Sequence, residues 1–385
     1  MWKGRSHEER SRAFARAAED CGPVLDLSAG DSLLRQQAAS AQAIAALYWP
    51  RNFAMSCGFD FECVVYDDYA SNAFATHAAG VHWIAVSSGM VYTLAELAVR
   101  VAADFPVPGD AEAPITLVGA DGSGFRYERP DFNDSIADAG RFFCQTDQFG
   151  PIRRRLVQTL WLDAQTLVWR HELFHASLGH TRYVDASFGL RALMEYPGST
   201  VPRPEAELHR VLRALEFHAD WAAFGSTLKL VRSKLDPAGS ELQPLGTPWR
   251  AASLMAATLL LPAFFRVAEM QGAPKSDTHP SAAARLSIFL SRIEELPDPA
   301  ERAEWLQGTG LALRAFKSMA ARHADFAAFA QMLGEQALDE GSSERLACID
   351  EFDTLQEALA PYAVLPLGHP HQGSIDVLPT DDDED

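Results

Sequence analysis

The sequence predicts an α+β fold, mainly helical, with one small antiparallel sheet. Three observations carry that expectation. Two early stretches, FDFECVVYDD from Phe59 and GVHWIAVSS from Gly80, are rich in β-branched and aromatic residues and bounded by Asp, Asn and Gly, as strands are. From Ile152 onward, apolar residues return at three- and four-residue spacing in one segment after another, the period of a helix. The chain has 385 residues, 48% of them hydrophobic and 22% charged, enough to bury a large core.

Taken in order, residues 5–48 are rich in Ala, Arg and Glu and read as helical, with Pro50 ending that region. The two strands follow, and Gly89 opens a helix through MVYTLAELAVRVAADF. Residues 106–150, rich in Gly, Pro and Asp, read as an insertion with short strands at ITLV and FRYE. A long helix is expected over Ile152–Leu178, because Val157, Leu160, Trp161, Ala164, Leu167, Val168, His171 and His175 form one stripe. Gly179 is its natural stop. After a Pro-rich loop at 195–204, a second helix runs from Pro204 toward Leu230 and ends around Gly225. Further helices are expected at 251–270, 281–295 and 300–362, and the tail from Pro366 lacks any period. The expected division is a helical extension at 1–55, a main domain at 56–295 carrying the 106–150 insertion, a helical region at 296–365 and a disordered acidic tail at 366–385.

Charge and cysteine usage exclude several classes. With 33 Lys and Arg against 52 Asp and Glu, the net charge of −19 has the wrong sign for nucleic acid. Five scattered cysteines without Cys-x-x-Cys spacing argue against a disulfide framework or a zinc ribbon. The first residues, MWKGRSHEERSRAFARAAED, lack the apolar core of a signal peptide, so the expected location is cytoplasmic. Ala251–Phe265 is free of charge but interrupted by Pro262, and shorter than the roughly 20 residues a spanning helix needs. A buried core helix is expected there, and a membrane partner is not.

The segment that carries chemistry is His171-Glu172-Leu173-Phe174-His175, an HExxH on a helix. Four residues are a little over one turn, so both imidazoles project from one face and can share a metal ion. Glu172 stands beside the first ligand, where it can act as general base on a water. Zinc in a hydrolase takes three protein ligands and leaves one position open. Two residues can supply the third: His180, five residues after His175, and Glu216 in the helix that follows. Glu216 is preferred, since Asp220 lies one turn further on the same face and suits the carboxylate that orients a ligand imidazole. His218 falls about 200° around that helix from Glu216 and reads as a bystander.

HELFH followed by Glu216-x-x-x-Asp220 resembles the gluzincin metallopeptidases, and within them the group of CAAX prenyl proteases and the heat-shock membrane protease. Asn72-Ala73-Phe74-Ala75 is similar to the NAFA segment of that group, and His279-Pro280 with Arg285 is similar to its HPxxxxR element. The resemblance implies a zincin-like fold and one zinc ion per chain, held by His171, His175 and Glu216. It implies Glu172 as the base and His279 as a stabiliser of the oxyanion, with Asp220, Arg285 and His180 orienting the ligands from behind. It also implies that Asn72, Ala73, Phe74 and Ala75 form an edge strand bordering the active site, to which a protein or peptide substrate adds its backbone. Members of that group commonly carry transmembrane helices. Gly179-His180 is similar instead to soluble phage-exclusion peptidases, which implies a cytoplasmic endopeptidase with an activating partner. Two other readings stay open: a latent or catalytically silent zinc-binding interaction protein, and a membrane-associated prenyl-peptide protease anchored by 251–265.

Overall fold

The structure, a computed structural model, describes residues 6–18, 21–27, 39, 60–68, 70–107, 149–190, 192–194, 206–233, 245–270, 278–323, 326–331, 333–365 and 367. The short strands expected at ITLV and FRYE, the loop at 195–204 and nearly all of the acidic tail lie outside them.

Among the described residues four strands form one sheet, β1 (Phe61–Tyr66), β2 (Ala73–Ala78), β3 (Val81–Ser87) and β4 (Ala192–Met194), in the order β1-β3-β2-β4. β2 and β3 are a hairpin closed by Ala79 and Gly80, whose φ values of 51° and 79° are those of a two-residue type I′ turn. β1, however, lies parallel to β3, so the sheet is mixed and not antiparallel as expected. The reason lies in the link from β1 to β2, which crosses the end of β3. Ser87 and Ser88 tie that link down. Ser87 Oγ donates to the Ala70 carbonyl (2.6 Å) and accepts from Asn72 N–H (2.9 Å), while Ser88 Oγ donates to the Asp68 carbonyl (2.9 Å). Ser87 also accepts from Met90 N–H and so caps the next helix.

Both faces of the sheet are covered. Alternate residues, Cys63, Val65, Ala73, Ala75, Ile84 and Val86, face the helical core. Val64, Tyr66, Phe74 and Trp83 face the other way and pack on Phe14 of α1 (His7–Ala17), with the Phe14 and Trp83 ring centroids 5.6 Å apart. Of the region expected to be helical over 5–48, His7–Ala17 forms α1, and Val24 bridges to Tyr66. Gly22 permits this course, since a Cβ there would fall 1.7 Å from the Asp67 carbonyl oxygen.

Among the described residues the further helices are α2 (Ser88–Asp104), α3 (Pro151–Ser177), α4 (His180–Phe188), α5 (Ala206–Arg232), α6 (Thr247–Met270), α7 (Ala282–Glu294), α8 (Pro299–Arg322), α9 (Ala327–Gln331) and α10 (Glu335–Leu359). α3 is the central one, packed on α2, α5, α6 and the sheet. Its buried polar groups fasten it. Trp161 Nε1 donates to the Val91 carbonyl of α2, Arg153 donates to the carbonyls of Ala102, Ala103 and Phe105 at the end of α2, and Asp163 takes both guanidinium nitrogens of Arg250 on α6. α5 does not end at Gly225. The missing side chain there makes room for Arg292, whose guanidinium sits 4.6 Å over the Trp221 ring. Ala251 to Leu260 of α6 are buried, and no helix among the described residues is long and apolar enough to cross a membrane. One core cluster extends from Cys63 of β1 to Cys348 and Ile349 of α10 and to Leu365 beyond it.

Candidate metal centre

His171, Glu172 and His175 lie in the last two turns of α3, all buried, and α5 runs alongside to present Glu216. The ligating atoms converge. His171 Nε2 is 2.9 Å from His175 Nε2 and 3.1 Å from Glu216 Oε2, and His175 Nε2 is 3.3 Å from Glu216 Oε1. One potential ligand atom from each of these three residues lies within 4.8 Å of the others. Donors placed 2.0–2.1 Å from one tetrahedral ion are about 3.3 Å apart, so this triangle has the size of one face of such a site. Two imidazole nitrogens and a carboxylate facing one another away from water are also the donor set that a divalent cation stabilises. The group could hold a metal ion, and Glu216 is the third member of the cluster where the sequence left Glu216 and His180 as alternatives.

Around this triangle stand the other expected residues. Asp220, one turn after Glu216 on α5, places Oδ1 3.0 Å from His171 Nδ1, while Arg285 Nε of α7 lies 3.0 Å from Asp220 Oδ2. His279 brings Nε2 within 3.3 Å of Glu216 Oε2. Burial alone would raise the Glu216 pKa, but the charges of His279 and His175 and the hydrogen bonds from His171 and His175 outweigh it and hold the carboxyl well below its ordinary value. A pocket of about 30 Å³ opens between α3, α5, α6 and α7, lined by His171, Glu172, Asp220 and Arg285 together with apolar residues such as Leu261 and Phe289. That is room for a water or two beside the Glu172 carboxylate.

His180 is brought to the site by a reversal of the chain. Gly179 takes φ of 82° between α3 and α4, which turns the first residue of α4 back toward His175. The same glycine lets the segment after α10 approach: a Cβ would stand 2.6 Å from Ala363 N, and the N–H groups of Val364 and Leu365 donate to the Ser177 carbonyl. His180 Nδ1 then hydrogen-bonds His175 Nδ1 at 3.0 Å, and its Nε2 hydrogen-bonds His218 Nδ1 at 3.1 Å. His218 is therefore not a bystander. It points away from the triangle, as the helical arithmetic requires, and straight at His180.

The expected substrate strand differs from the reading in one respect. β2 packs on α3 as required, but it is not an edge along its length, since Phe74, Ala75 and Thr76 pair antiparallel with Met194, Leu193 and Ala192 of β4. Asn72 and Ala73 lie beyond that ladder, with the Asn72 backbone held by Ser87.

No family model, curated protein or solved structure matches this chain.

Proposed function

We propose that the chain is a zinc-dependent metalloendopeptidase that hydrolyses peptide bonds of a protein substrate. The observation that supports this best is the buried His171–His175–Glu216 triangle with Glu172 next to it on the same helix. His171, His175 and Glu216 would hold the zinc, which would supply Lewis-acid chemistry and an acidified water there. Glu172, beside His171 on the same helix, would serve as the general base that holds a proton and passes it on to the leaving amine. His279, at the Glu216 end of the triangle, donates a hydrogen bond to the carbonyl oxygen as negative charge develops there. Asp220, held by Arg285, fixes the His171 ring so that its Nε2 stays aimed at the ligand position.

Metal analysis of the purified chain, combined with a casein or quenched-peptide assay, tests this reading. About one zinc per chain is expected, with hydrolysis abolished by a chelator and restored by added zinc. A chain with no bound metal, or with turnover unaffected by chelation, would refute it.

One observation favours a latent form of the same enzyme. β4 occupies the backbone of residues 74–76, where an incoming peptide strand would add. On this reading the site is built but covered, and an activating event withdraws Ala192–Met194. Leu193→Pro, which breaks the ladder opposite Ala75, is then expected to raise peptide hydrolysis several-fold. Unchanged or lower hydrolysis in that variant, with zinc retained, would leave β4 as an ordinary strand.

A further inference from the structure

Behind the triangle runs a chain of three imidazoles: His175 to His180 at 3.0 Å, and His180 to His218 at 3.1 Å, every ring buried. We infer that His180 and His218 are positioning residues that set the tautomer of His175, and through it the affinity of the site for zinc. The inference rests on the zinc reading above and extends it to two residues that do not touch the metal.

A neutral imidazole has one N–H and one lone pair, so it donates through one nitrogen and accepts through the other. All three rings are enclosed away from water, where the neutral form of an imidazole is the less costly one, and each N···N contact takes one N–H and one lone pair. Two registers of the chain are then possible. In the first, His175 carries its proton on Nδ1 and donates to His180 Nδ1, and His180 donates from Nε2 to His218 Nδ1. His175 Nε2 then presents a lone pair toward His171 and Glu216. In the second, every proton moves to the other nitrogen of its ring: His218 donates from Nδ1, His180 from Nδ1, and His175 holds its proton on Nε2, where it blocks a cation. Metal binding and the first register require each other.

The packing explains how the register is held. The His218 ring has the Phe352 ring of α10 against it, centroids 3.9 Å apart, and the Trp221 ring stacked at 6.0 Å. These contacts fix its plane, and with it the direction of the hydrogen bond to His180. His180 is fixed in turn by the Gly179 reversal that the segment after α10 packs upon. α10 therefore contributes to the metal centre although it supplies no ligand.

The test uses the full chain with ¹⁵N-labelled histidine, reading imidazole tautomers by two-bond ¹H–¹⁵N correlation without and with zinc, alongside zinc affinities by chelator competition. In the zinc-loaded wild type, His180 and His218 are expected as Nε2–H tautomers. His180→Leu is expected to weaken zinc about 10–100-fold, and His218→Leu by a smaller factor. His180→Asn, which offers an amide oxygen near the place of Nδ1, is expected to recover most of the loss. If His180→Leu does not fold, the wild-type spectrum and the Asn variant decide. An Nδ1–H tautomer at His180 with zinc bound, or folded Leu variants within two-fold of wild type, would overturn the relay. Zinc binding lost in His171→Ala but indifferent to positions 180 and 218 would overturn the relay alone. A wild type that binds no zinc would overturn both readings.

Discussion

The Asp220 carboxylate stands 3.0 Å from Nδ1 of His171, and its other oxygen is 3.0 Å from Nε of Arg285. A carboxylate in this place favours the proton on Nδ1, which leaves Nε2 free for a metal, and the arginine keeps the carboxylate from turning away. Asp220→Asn preserves the shape and removes the charge, so zinc affinity is expected to fall about 10–100-fold. Chelator competition measures it directly. Affinity within two-fold of wild type would mean that His171 is oriented by its helix alone.

Gly179 joins the candidate metal site to the segment after α10. Gly179→Ala forces an L-residue into φ of 82° and sets its Cβ 2.6 Å from Ala363 N. The conformational part alone costs about 1–2 kcal/mol, and relief of the overlap must displace residues that cap the Ser177 carbonyl. Urea unfolding is expected to show a loss larger than 2 kcal/mol, with zinc affinity reduced because His180 moves with the turn. A loss under 0.5 kcal/mol would show that α4 can start without this reversal.

Asp163 on α3 accepts from Arg250 Nη1 and Nη2 at 2.5 and 2.8 Å and from Ser253 Oγ at 3.0 Å, all away from solvent. Truncating one side of such a pair costs about 3–5 kcal/mol, whereas replacing both by apolar groups can be close to neutral. Arg250→Ala is accordingly expected to be much less stable than wild type, and Asp163→Leu with Arg250→Met to recover most of the difference. A double variant no better than the single one would mean that the pair sets the α3–α6 packing and is not merely tolerated by it.

Acid sensitivity has an identifiable source in the sheet. His82 on β3 is paired with His77 on β2, their ring centroids 4.6 Å apart, and burial first, then the charges of His77 and Arg182, push its imidazole from 6.5 down to about 3. The folded chain keeps this ring neutral where the unfolded chain protonates it. Stability from this residue is thus complete above pH 6.5 and lost progressively as pH falls toward 3, by ~1.4 kcal/mol per pH unit at most. His82→Gln should remove close to one proton from the pH dependence of urea midpoints between pH 6 and 4. An unchanged slope would place the sensitivity elsewhere.

The parts of the site that follow from short helical spacings are legible in the sequence. His171 with His175, and Glu216 with Asp220, each sit four residues apart on one helix, and α3 ends within a residue or two of its expected bounds. His218 shows where such reasoning stops. Its angle on α5 is correctly read as facing away from Glu216, but what it faces depends on the turn at Gly179 and on α10 more than 100 residues later. The parallel pairing of β1 with β3 is hidden for a related reason. It depends on serine hydroxyls at one strand end holding a crossover link, and no alternation of apolar residues records that. β4, at three residues, is too short to show a period of two. Gly225 resembles a helix end until the Arg292 side chain that fills its place is known.

If Glu172 is the base of a metal-dependent hydrolysis, Glu172→Gln removes that base while leaving the metal ligands in place. The substitution keeps size and burial and removes only the ability to accept a proton as a carboxylate. Zinc counted per chain, together with the rate of quenched-peptide hydrolysis on the same preparation, gives the answer. The expected result is zinc equal to wild type with hydrolysis reduced by about 10²–10⁴-fold or more. Hydrolysis retained by a fully metallated Glu172→Gln chain would contradict it.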